Sequence, residues 1–123
     1  MTSKPQIRVL VADDNTEIPS ALAQLIEKES GLELVASAAD AAEAIELAGR
    51  RQPDVALLDV RMPAGGGLAA ASGIAHLAPQ TKVILISASG VDHSLQNPEI
   101  ADCIPKGSSA ERIVESVRRA AGR

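Results

Sequence analysis

Five polar residues of types suited to phosphate chemistry stand at the ends of apolar runs in this chain of 123 residues. They are Asp13, Asp14, Asp59, Ser87 and Lys106. Carboxylates are hard oxygen ligands that suit Mg²⁺, and an aspartate can also accept a phosphoryl group covalently. A lysine ammonium and a serine hydroxyl can bind the oxygens of a transferred phosphoryl group. Together the five residues predict a Mg²⁺-dependent phosphoryl site.

Each of these residues alone has a plainer interpretation. An aspartate pair after a strand often forms a turn or a helix cap, and a single lysine is usually a solvated charge. The order of the residue types at successive strand ends favours the site. Two carboxylates about 4 Å apart repel by about 4 kcal/mol at an effective dielectric of 20, a cost that a divalent cation would reverse.

A parallel sheet would bring these strand ends to one edge. Short apolar runs alternate with stretches of helical period, which predicts an α/β domain with helices on both faces of the sheet. Strands are predicted at 7–12, 32–36, 55–58, 82–86 and 101–105. In such sheets ligands bind beyond the carboxyl ends of the strands, here between the first and third.

Helices are predicted between the strands. The first is predicted around 21–26, with Pro19 in its first turn. The second is capped by Asp40 and ends before Pro53, and the third covers 68–77. The last helix is capped by Ser109. We interpret the glycines at 65–67 as part of a flexible loop over 63–67, because no Gly-Lys-Ser/Thr follows them. Residues 89–100 have too few periodic apolar residues for a full amphipathic helix.

Composition limits the class of protein. Apolar residues make up 46% of the chain, none of them aromatic, so the core must be built from Val, Ile, Leu and Ala and offers no stacking platform for nucleic acid. The net charge of −4 gives no broad polyanion-binding surface. The single Cys103 suits a reducing compartment, and no apolar run approaches the ~18 residues of a membrane span. We expect one cytoplasmic domain over 1–123, with residues 1–6 disordered and no nucleic-acid or membrane contact.

At the strand ends the chain resembles the receiver domains of two-component response regulators. The motifs that carry the resemblance are Val-Ala-Asp-Asp-Asn at 11–15, Gln-Pro-Asp-Val-Ala-Leu-Leu-Asp-Val-Arg-Met-Pro at 52–63, Ser-Ala at 87–88 and Lys-Gly-Ser-Ser at 106–109. The segment from Asp59 to Met-Pro is the specific one. The resemblance implies a flavodoxin-like sheet of strand order 2-1-3-4-5, in which Asp59 accepts a phosphoryl group from a partner histidine kinase.

The resemblance also implies roles for the other residues. Mg²⁺ would be held by Asp13, Asp14, Asp59 and the backbone carbonyl of Arg61, with Asp14 ahead of Asp13 as direct ligand. Lys106 and Ser87 would bind the phosphoryl oxygens, and Ser87 would move on activation. The domain would not otherwise be an enzyme, beyond its own Mg²⁺-dependent phosphorylation and dephosphorylation.

Two departures from the family bear on switching. Cys103 stands where relatives usually carry an aromatic residue, three positions before the lysine, and the spacing from Ser87 to Lys106 is shorter than usual. Whether Ser87 and Cys103 act as a switch on phosphorylation is therefore an open question. Gly107 stands where many relatives have proline. The segment 106–109 is similar to that of the family branch whose receivers precede a LuxR-type helix-turn-helix output domain. One expectation is therefore that this domain is the input half of a transcriptional regulator. A separate effector protein and a homodimer also stay open as partners.

Two other functions compete with phosphorylation-controlled signalling. One is a receiver-like interaction module with little or no phosphorylation-driven switching, which Cys103 and the short segment before it favour. The other is an aspartate-nucleophile phosphohydrolase. Such an enzyme usually needs a cap or long insertion over the substrate, and this chain has no loop long enough to serve.

Overall fold

The structure, a computed structural model, describes residues 6–13, 20–62, 65–88 and 97–122. Nine elements lie in these residues, in the order β1 (Ile7–Ala12), α1 (Ala21–Lys28), β2 (Leu32–Ala38), α2 (Ala41–Arg51), β3 (Val55–Asp59), α3 (Gly66–Leu77), β4 (Lys82–Ser87), β5 (Ile100–Pro105) and α4 (Ala110–Ala120). The five strands form one parallel sheet of order β2-β1-β3-β4-β5. The predicted flavodoxin-like architecture is confirmed.

The register of the strands aligns their carboxyl ends. Ala12 pairs with Leu58, so that Asp13 and Asp59 follow paired residues on neighbouring strands. On the other side of β3, Asp59 pairs with Ile86. Ser87 in turn pairs with Pro105, the residue before Lys106. Four of the five strand-end residues, all except Asp14, which lies outside the described residues, therefore lie along one edge of the sheet, as the sequence predicts.

The sheet separates two core layers of different composition. Side chains alternate along buried strands, so Leu57 faces one layer and Leu58 the other. On the side of α2 and α3, nine of the sixteen buried members among the described residues are alanine; we call this the alanine-rich layer. On the side of α1 and α4 the layer consists of Val, Ile and Leu, and we call it the branched layer. None of the described helices is long and apolar enough to cross a membrane.

Three of the four described helices, α1, α2 and α4, begin at polar caps. The Asp40 side chain accepts the Glu43 N–H at 2.8 Å, and the Ser109 hydroxyl accepts the Arg112 N–H at 3.1 Å. Both predicted caps are confirmed. Ser20 caps α1 in the same way, and Pro19, which the sequence places in the first turn of that helix, lies outside the described residues.

Several element bounds differ from the prediction, those of β3, β4 and β5 by a single residue each. Two of the differences have a structural cause. β2 continues to Ala38, because the strand has a bulge at its register shift and needs the extra length to stay paired with β1. α3 begins at Gly66, two residues early, with Gly65 and Gly66 at φ +102° and +75°. Glycine adopts these left-handed conformations at no steric cost. The interpretation of residues 65–67 as flexible loop was therefore wrong: the chain turns there directly into a helix.

Candidate functional site

Asp59 is a buried carboxylate with two described partners. It is the last residue of β3 and only 5% exposed. The Lys106 ammonium lies 3.0 Å from its Oδ2, and the backbone N–H of Arg61 donates to its Oδ1 at 2.9 Å. A charge-assisted bond on one oxygen and a backbone donor on the other fix the direction of the carboxylate. The predicted proximity of Asp59 and Lys106 is confirmed.

Lys106 reaches this carboxylate from the end of β5. Its backbone N–H donates to the Ser87 carbonyl at 2.9 Å, which anchors the base of the side chain to β4. The side chain itself is half exposed, so the ammonium stays accessible from solvent while touching a buried acid. Because the lysine side chain is flexible, its ammonium can move to bind a phosphoryl group that is added to the carboxylate oxygen.

Ser87 and Cys103 flank this arrangement with different degrees of burial. Ser87 is 3% exposed at the end of β4. Cys103 is partly buried and packs against the alanine-rich layer, three residues before Lys106. The structure therefore brings Ser87 to the edge that holds Asp59, and its role as a switch with Cys103 stays a prediction.

A pocket of about 420 Å³ opens beside the carboxylate. Its polar members are Asp13, Asp59 and Lys106, and its apolar wall comes from α1, β4 and α4 through Ala21, Leu22, Leu25, Ile86 and Ile113, with Gly107 completing the lining. Two carboxylates on one pocket, one of them already paired with a cation, form a donor set that suits a small hard cation sharing its coordination with water. Asp13 and Asp59 thus line the same pocket, and their joint role as metal ligands stays a prediction.

The remaining metal ligands stay predictions. Asp14 lies outside the described residues, and within those residues no three acidic, histidine or cysteine side chains converge on one point. Arg61 is placed directly beyond Asp59 and its N–H bonds to the acid, while the role of its carbonyl is untested. His76, on α3, is exposed. The other histidine, His93, lies outside the described residues.

Behind the acid lies a backbone contact that the sequence did not predict. Gly67, in the first turn of α3, lies directly against the backbone of Asp59 and Val60 and donates its N–H to the Val60 carbonyl at 3.0 Å. Three successive glycines shortly after a strand-end aspartate were the available signal. A glycine at a tight approach between backbones is as ordinary a use of the residue as loop flexibility.

Comparison with known proteins gives a consistent set of relatives. The chain matches the family model of the response regulator receiver domain over residues 9–118. It is 35% identical to a protein-glutamate methylesterase/protein-glutamine glutaminase of Xanthomonas oryzae, an alignment that covers 98% of this chain and 37% of the relative. It is 30% identical to the response regulator GacA of Pseudomonas aeruginosa, covering 92% of this chain and 54% of GacA. The chain thus spans between about a third and about half of these relatives.

Solved structures agree with the sequence relatives. The response regulator domain of Thermotoga maritima CheB superposes with a TM-score of 0.82 at 30% identity, covering 96% of this chain and 98% of that one. The signal receiver domain of NarL from Mycobacterium tuberculosis gives 0.85 at 30% identity, covering 97% and 98%. Both solved domains are therefore matched by this chain over nearly their whole length.

Proposed function

The chain belongs to the response regulator receiver domain family, and from that membership we propose that it accepts a phosphoryl group on Asp59 from a partner histidine kinase. Family membership supports a place in two-component signalling. The observation that carries the specific proposal is the buried Asp59 carboxylate, held at 3.0 Å from the Lys106 ammonium on a pocket that Asp13 also lines. We place this signalling in the cytoplasm.

The transfer would proceed by direct displacement. A carboxylate oxygen of Asp59 forms the new bond to phosphorus as the bond from phosphorus to the histidine nitrogen of the kinase breaks, and the imidazole leaves with that electron pair. Lys106 neutralises charge on the transferred oxygens, and the Ser87 hydroxyl donates a hydrogen bond to one of them. The backbone N–H of Arg61 keeps Oδ1 in place while Oδ2 faces the ammonium.

Asp13, Asp14, Asp59 and the Arg61 carbonyl would hold Mg²⁺. When bound, the ion supplies neutralisation of the phosphoryl oxygens and of the clustered acids. The apolar wall of the pocket, built by Leu22, Leu25 and Ile113, limits the access of water to the reacting oxygen.

The consequence of phosphorylation would pass through Ser87. A buried hydroxyl at the strand end next to Asp59 can turn toward a new phosphoryl group. Cys103 fills less volume than an aromatic ring and packs against the alanine-rich layer, so we propose that any switch relies on Ser87 and its strand rather than on a ring that changes position. An output domain or a separate effector would receive this change.

A small-molecule phosphodonor tests the proposal without a kinase. Incubation of the chain with acetyl phosphate and Mg²⁺ is expected to add the mass of one phosphoryl group, because positioning and charge neutralisation are all that this chemistry needs from the protein. Intact-protein mass spectrometry measures the product. Chelation of Mg²⁺ is expected to prevent it. The absence of any adduct, or an adduct whose formation does not depend on Mg²⁺, would contradict the proposal.

A further inference from the structure

One peptide unit behind Asp59 is held from both of its sides. The Val60 carbonyl accepts the Gly67 N–H at 3.0 Å, and the N–H of the same peptide plane, that of Arg61, donates to Oδ1 of Asp59 at 2.9 Å. Because the peptide is planar and trans, its carbonyl and N–H point in opposite directions. A bond that turns the carbonyl toward α3 therefore turns the N–H toward the carboxylate.

The neighbouring peptide is fixed as well. The Val60 N–H donates to the Ile86 carbonyl of β4 at 3.0 Å. Val60 is thus tied to β4 through its N–H and to α3 through its carbonyl. Bonds in such a chain polarise one another, so the donor strength at the carboxylate depends on the bond at α3.

Residue 67 must lack a side chain for this contact to exist. A Cβ at this position would lie 2.7 Å from the Asp59 carbonyl oxygen and 3.0 Å from the Val60 Cα. Both neighbours are backbone atoms of a paired strand end and cannot turn aside. Any side chain would therefore push the start of α3 away and lengthen the bond from residue 67 to Val60.

We propose that Gly67 is a positioning residue for Asp59, acting through the Val60–Arg61 peptide on the direction of the carboxylate. The inference rests on the proposed function for its consequence: a misdirected carboxylate would bind Mg²⁺ less tightly and accept a phosphoryl group more slowly. It goes beyond that function because Gly67 does not line the pocket and meets Asp59 only through backbone atoms, and because it makes the placement of α3 a determinant of the site.

The chain supplies a matched control on the same helix. A Cβ at Gly73 would also overlap its surroundings, but there the neighbour is the Ile45 side chain of α2 and not backbone. Gly73→Ala therefore disturbs the packing of α3 without touching the strand end. Gly67→Ala is expected to weaken Mg²⁺ binding about 10- to 100-fold, the usual loss when a group that orients a metal ligand is removed, and Gly73→Ala is expected to leave the affinity unchanged.

Titration calorimetry with Mg²⁺ and the amide proton resonance of Arg61 measure the effect, below the unfolding temperature of each variant. In Gly67→Ala this resonance is expected to move upfield as its hydrogen bond lengthens, a change that a loss of stability alone would not produce. If Gly67→Ala is poorly folded in buffer, all proteins are compared in sucrose, which favours compact states. Wild-type affinity and an unmoved Arg61 resonance in Gly67→Ala would overturn the positioning role alone. A wild-type protein that neither binds Mg²⁺ nor accepts a phosphoryl group would overturn the proposed function instead.

Discussion

Asp59→Asn is expected to abolish phosphoryl incorporation from acetyl phosphate and Mg²⁺. An amide oxygen is a far weaker nucleophile than a carboxylate oxygen, so the substitution removes the covalent step itself. The fold should survive, because asparagine has the same shape and its oxygen can still accept the Arg61 N–H that now bonds to Asp59. The expected result is thus a folded protein with no phosphoryl adduct, measured by intact mass and circular dichroism.

Asp54, at the opposite end of β3 from Asp59, provides the control. It directly precedes β3, and its Oδ2 accepts the Arg8 N–H at 2.8 Å, far from the carboxyl ends of the strands. Asp54→Asn keeps an oxygen for this bond and should be phosphorylated like the wild type. An adduct on Asp59→Asn at the wild-type level would place the acceptor on another residue.

The sequence allowed the sheet and the acidic edge to be predicted because both depend on strand order. Unbroken apolar runs mark strands buried on both faces, and in a parallel sheet the polar residues that end them share one edge. The contact between Asp59 and Lys106, which are 47 positions apart, follows from that topology. The ends of elements were less predictable, because the bulge in β2 and the early start of α3 depend on pairing and on backbone contacts rather than on periodicity.

The least predictable part of the site is its backbone. Two of its hydrogen bonds are donated by the backbone N–H groups of Arg61 and Gly67. Every residue type except proline has this group, so no pattern of side chains predicts these bonds. The apolar wall of the pocket was likewise not predictable from the sequence, because Leu22 and Ile113 have the helical spacing of ordinary core residues. Only the glycine at 67 carried a signal, and its meaning depended on which backbone it approached.

The uneven composition of the two core layers leads to a second large effect, on stability. Leu57 and Leu58 are adjacent on β3 and both fully buried, but they face the branched and the alanine-rich layer respectively. Truncation of a buried leucine to alanine costs about 2–5 kcal/mol, rising with the volume of the cavity that remains. Which of the two truncations costs more stability therefore depends on how far the side chains around each leucine can relax into the cavity.

Leu58→Ala is expected to lie near the upper end of that range, about 4–5 kcal/mol, and Leu57→Ala about 2–3 kcal/mol. Most members of the layer around Leu58 are alanines, which have no rotamers to move into a void, so closing the cavity would depend mainly on movement of α2 or α3. The backbone contact of Gly67 with Asp59 and Val60 opposes that movement. Around Leu57, valine and isoleucine side chains can adjust.

Urea unfolding of the two variants measures this difference, with Leu77→Ala as the control. Leu77 is 50% exposed, so its truncation should cost only about 0.5 kcal/mol. Against a total stability of about 5–15 kcal/mol for a domain of this kind, Leu58→Ala alone could populate the unfolded state. Equal losses for Leu57→Ala and Leu58→Ala would contradict the view that the alanine-rich layer is rigid. A larger loss for Leu58→Ala would support the view that the alanine-rich layer relaxes little around a void.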